Sequence, residues 1–66
     1  MDITVNGKGT TCPEGAALPD LLRQLGLSPD KIVVELNRDI VPAGAFAETV
    51  LHEGDTLELL QFVGGG

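Results

Sequence analysis

Few side chains in this sequence could carry chemistry. There is one cysteine, Cys12, and one histidine, His52, with no tryptophan or tyrosine. A redox or persulfide cysteine works with a second thiol at CxxC spacing, or with basic neighbours that lower its pKa. Cys12 sits in "TTCPEG" with neither, so it reads as a packing or edge-strand thiol. His52 lies in the polar "HEGD" without a second histidine anywhere, which makes it a solvated turn residue and gives no metal site. No GxxxxGK[ST] or GxGxxG pattern is present to cradle a phosphate. What remains is the end of the chain, where "LELLQFV" runs straight into Gly64, Gly65 and Gly66. Alone, such a run reads as a frayed terminus. Its use depends on the domain that carries it.

That domain is small. At 66 residues the chain makes one domain, near the size where folding buries only about 60% of the unfolded surface, so a large enclosed active site is not expected. The core must come from the 42% of residues that are hydrophobic, because a single cysteine allows no internal disulfide. Ten acidic residues against four basic ones give a net charge of -6, which repels phosphate backbones and anionic lipid. Nucleic-acid and membrane binding are disfavoured, and a partner should present a basic surface. A lone thiol, no apolar run near the roughly 20 residues that span a bilayer, and the alternating start "MDITV" fit a cytoplasmic protein.

The elements follow from periodicity. Residues 1–5 alternate, with Ile3 and Val5 on one side, as a half-buried strand requires. Asn6-Gly7 takes the positive φ angles of a tight hairpin, so the chain around Lys8 to Cys12 should return antiparallel. After the break at "PEG", Leu18, Leu21, Leu22 and Leu25 form the apolar stripe of an amphipathic helix, with Pro19 and Asp20 suited to its first turn and Gly26 to its stop. "KIVVELN" reads as a strand, turned by Asn37, Arg38 and Asp39 into the short extended "IVP". Residues 43–51 hold an irregular stretch or one short turn, "HEGD" is a tight turn, and "TLELLQFV" is the last strand.

One helix against a small mixed sheet is a two-layer α+β arrangement, and a hairpin, a crossover helix and later strands follow in the ubiquitin-like β-grasp order. The helix covers one face of the sheet and leaves the other open. In the last strand Leu57 and Leu59 share the helix side, so Leu60 and Phe62 point to the open face, as a binding patch or under a local loop. Asp39, Glu53 and Glu58 are candidates to steer a basic partner.

The hairpin, "DLLRQL", "VVELN" followed by "IVP", the "EGD" turn and the "FVGGG" end resemble, in order and spacing, the ThiS-type sulfur carriers of thiamin biosynthesis. The resemblance covers nearly the whole chain. The related small subunit of molybdopterin synthase shares fold and tail but often carries prolines before its glycines, which "LLQFVGGG" lacks. The resemblance implies a β-grasp domain over residues 1–63 and a flexible tail over 64–66. It implies a carrier that is no enzyme itself, binds no cofactor and is monomeric when free. A ThiF-type adenylyltransferase would use ATP to activate the carboxylate of Gly66, a persulfide from a cysteine desulfurase would convert it to a thiocarboxylate, and a ThiG-type thiazole synthase would take the sulfur. Leu60 and Phe62 would then dock both enzymes, while Gly64 and Gly65 pass through narrow channels that leave no room for a side chain. The third glycine leaves the mature end at Gly66 or Gly65. The alternatives are a carrier for molybdopterin or another sulfur-using pathway, and a β-grasp module that binds partners without covalent chemistry.

Overall fold

The structure, a computed structural model, describes residues 1–62. The chain forms β1 (Asp2–Val5), β2 (Lys8–Thr11), α1 (Leu18–Gln24), a 3₁₀ turn at Pro29–Lys31, β3 (Ile32–Leu36), β4 (Asp39–Val41), a second 3₁₀ segment at Ala43–Glu48, and β5 (Thr56–Gln61). The strands make one sheet in the order β2-β1-β5-β3-β4. β5, last in sequence, is central: it runs parallel to β1 and antiparallel to β3. This is the β-grasp arrangement expected from the order of elements.

Both hairpins are fixed by two-residue turns with positive φ. Asn6 (50°) and Gly7 (80°) join β1 to β2, and Asn37 (49°) and Arg38 (76°) join β3 to β4, as a mirror-image turn requires. Asp39 is therefore not a turn residue but the first residue of β4, opposite Leu36. Each turn asparagine also holds β5. Asn6 Oδ1 accepts the Leu59 N–H at 2.7 Å, and Asn37 Oδ1 accepts the Thr56 N–H at 2.9 Å.

α1 is short. Its start has no side-chain acceptor at Ala17, but Asp20 Oδ2 accepts the Ala17 N–H at 3.0 Å, satisfying one orphan donor. Its end is a Schellman cap: Gly26 at φ 73° lets the Leu27 N–H reach the Leu22 carbonyl at 2.8 Å and its own N–H reach Arg23. The expected stripe stops at Leu22. Leu18, Leu21 and Leu22 are fully buried, whereas Leu25 falls in the cap turn and is 38% exposed.

The core joins these leucines to Ile3, Val5, Ile32, Val34 and Leu57 from the sheet, together with Phe46 and Leu51 from the segment between β4 and β5. Burying each large apolar side chain contributes about 1.5–3 kcal/mol. Phe46 sits in the short 3₁₀ segment, so the stretch that lacked periodicity still supplies a core residue. No helix of the described residues is long and apolar enough to cross a membrane. The expected boundary between a domain ending at Val63 and a tail over 64–66 lies outside the described residues.

Candidate functional site: the uncovered sheet face

Strand alternation and register assign every strand residue to a face. Ile3, Val5, Ile32, Val34 and Leu57 turn to α1 and are buried, and Leu59 is half-buried against the same core. The opposite face carries Asp2 and Thr4 of β1, Gly9 and Thr11 of β2, Val33 and Glu35 of β3, Ile40 of β4, and Thr56, Glu58 and Leu60 of β5. None of these is basic.

Leu60, expected on the open face, is 65% exposed and lies opposite Val33. β5 ends at Gln61, one residue short of Phe62, yet the Phe62 N–H donates to the Lys31 carbonyl at 2.8 Å and so continues the β3–β5 register by another residue. Phe62 is 53% exposed, and no loop of the described residues covers it or Leu60. Ile40, at 62%, joins them from β4. Alternation alone leaves the face of Ile40 open; the two-residue Asn37-Arg38 turn pairs it with Glu35 and so fixes its side.

Next to these apolar residues, Glu35 and Glu58 stand directly opposite each other across β3 and β5. They line an open groove of ≈ 420 Å³ with Asn37, Arg38 and Thr56. Of the three acids singled out for steering, only Glu58 belongs to this face. Asp39 has helix-side parity on edge strand β4, and Glu53 is in a turn where its Oε1 accepts the Asp2 N–H at 2.9 Å.

The remaining candidates are placed elsewhere. Cys12 is 3% exposed, and its N–H donates to the Met1 carbonyl at 3.0 Å, so it packs in the core. His52 is exposed in its turn, its backbone N–H held by Asp55 Oδ2 at 2.8 Å. Among the described residues no cluster of three or more His, Cys, Asp or Glu side chains could hold a metal ion. Gly64, Gly65 and Gly66 lie outside the described residues.

A five-stranded mixed sheet with one helix across it, one face uncovered and the last strand in the centre defines a ubiquitin-like β-grasp protein. The chain belongs to the ThiS family, whose model it matches over residues 3–66. It is 30% identical to the sulfur carrier protein ThiS of Escherichia coli, with the whole of both chains covered. The crystal structure of the thiamine biosynthesis protein ThiS from Geobacter metallireducens superposes with a TM-score of 0.85 at 38% identity, again over all of both chains. The chain is also 39% identical to part of a thiazole synthase of Magnetococcus marinus, of which it spans only 20%. A similar segment occurs in the thiazole synthase of Paramagnetospirillum magneticum, at 35% identity and the same share of its length.

Proposed function

We propose that this protein carries sulfur as a thiocarboxylate on Gly66 and delivers it for thiazole formation in thiamin biosynthesis. The observation that carries this reading is that the family match runs through the terminal glycines, to residue 66. The occurrence of the same domain within thiazole synthases supports the choice of pathway.

The chemistry asks little of the domain itself. A carboxylate resists a sulfur nucleophile until one oxygen becomes a good leaving group. A carboxylate oxygen of Gly66 attacks the α-phosphorus of ATP in the activating enzyme, pyrophosphate leaves, and the acyl-adenylate forms. A persulfide sulfur then attacks the acyl carbon and AMP leaves. A thiol attacks the enzyme-side sulfur of the resulting acyl disulfide, forms a disulfide there and releases the thiocarboxylate. The carrier serves as co-substrate throughout. Leu60 and Phe62 dock it on the ThiF-type adenylyltransferase and on the ThiG-type thiazole synthase, while Gly64 and Gly65 present no Cβ to the channel walls.

The test uses wild type, a form extended beyond Gly66, and Gly65→Val, each incubated with ATP, the activating enzyme and a persulfide source. Pyrophosphate release and intact mass are followed. Wild type gains the mass difference between sulfur and oxygen, the extended form gains nothing because an amide has replaced the attacking oxygen, and Gly65→Val is strongly slowed. Sulfur gain by an untrimmed extended form would overturn the reading and favour a module that binds without covalent chemistry.

A further inference from the structure

The uncovered face is costly to the free protein in a way the fold does not need. Two carboxylates directly opposite on neighbouring strands repel each other, and Glu35 and Glu58 are such a pair. Among the described residues the only ion pair is Arg23 with Asp20, on α1; Arg38 lines the turn end of the groove without pairing to either glutamate. Ile40 stands beside Glu35 on β4, and Leu60 and Phe62 follow Glu58 toward the end of β5, each more than half exposed.

We infer that this face is read by an arginine of the partner enzyme, inserted between Glu35 and Glu58, with the adjoining apolar strip of Ile40, Leu60 and Phe62 covered by the same enzyme. The inference rests on the carrier function proposed above. Charge selects the occupant. No strand residue on this face is basic, and a guanidinium offers several donors in a planar fork suited to bonding carboxylates. A second copy of the chain is a poor occupant, since face-to-face packing would bring both glutamate pairs together in a protein of net charge -6. Chain length selects the approach. Residues 63–66 span at most about 14 Å when fully extended, so an enzyme that grips Gly66 has its own surface within that distance of Phe62. The face continues from there along β5 through Leu60 to Glu58. Covering the adjoining apolar strip excludes water from that side of the pair, and a close charge pair is stronger at lower local dielectric.

The experiment measures binding of the full chain to the ThiF-type activating enzyme by calorimetry, between about 50 and 300 mM NaCl, over which screening tightens markedly. The variants are E35Q/E58Q and a control, E14Q/E48Q, which removes the same charge from exposed positions outside the face. Circular dichroism checks that both are folded. E35Q/E58Q is expected to bind about tenfold more weakly at low salt and to lose most of the salt dependence, while the control stays within about twofold of wild type. Binding of E35Q/E58Q at wild-type strength, or an equal loss in the control, would overturn the inference. So would wild-type self-association in sedimentation velocity that is altered by E35Q/E58Q, which would assign the face to a second copy. The two readings fail separately: a wild type that gains no sulfur refutes the carrier, whereas a wild type that gains sulfur beside a tightly binding E35Q/E58Q refutes only the arginine contact.

Discussion

The two faces of one strand, β5, follow different rules. On the side of α1, Leu57 is fully buried and Leu59 half-buried, and their neighbours Val5, Ile32 and Val34 are all apolar. On the other side Glu58 faces a second glutamate and Leu60 faces solvent. The first face is what a domain with no disulfide needs in order to fold. The second combines exposed apolar area with unrelieved like charge, and folding gains from neither. Residues that the fold does not explain therefore collect on one side of the molecule, and that side continues along β5 toward the end of the chain.

This contrast can be broken most directly by truncation. Leu57→Ala is expected to cost about 2–5 kcal/mol in urea denaturation, whereas Leu60→Ala on the same strand stays within about 0.5 kcal/mol of wild type. Equal costs would mean that the second face is covered after all. A smaller effect separates binding from stability. Phe62→Ala should weaken the complexes with both the activating enzyme and the thiazole synthase by about 1–3 kcal/mol while leaving the melting temperature unchanged. Unfolding of the variant, or tight binding to both enzymes, would remove Phe62 from the docking surface. The smallest effect has the opposite sign. Glu58→Gln should stabilise the free protein by about 0.2–1 kcal/mol at low salt, with the gain shrinking as salt screens the pair. A loss of stability instead would show that the two carboxylates are not in conflict.

What could be read from the sequence was what repeats locally. Alternation gave the sides of Leu57 and Leu60, the spacing of Leu18, Leu21 and Leu22 gave the helix, and Asn6-Gly7 gave the first hairpin, because each pattern records its burial or backbone geometry within a few residues. Leu25 obeys the same spacing yet is 38% exposed, since α1 ends at Gln24 and Leu25 already belongs to the cap turn set by Gly26. Phe46 was hidden because a single buried aromatic in a 3₁₀ segment has no period. The opposition of Glu35 and Glu58 is a matter of register between segments more than twenty positions apart, which only the assembled sheet sets. The face of Ile40 was in principle legible, and depended on reading Asn37-Arg38 as a two-residue turn.

The central place of β5 also has a mechanical consequence. Any enzyme that draws on the last residues pulls along this strand, and ladder hydrogen bonds lie across a strand, at right angles or on a slant. Such a pull loads the bonds to β1 and β3 side by side, in shear, instead of peeling them one after another from an edge. The Asn6 and Asn37 side chains add crosswise ties midway along β5, at Leu59, and at its first residue, Thr56. Had the tail followed an edge strand such as β4, the same tension would unzip a single ladder. A pull on the end of this chain is thus resisted by two ladders at once.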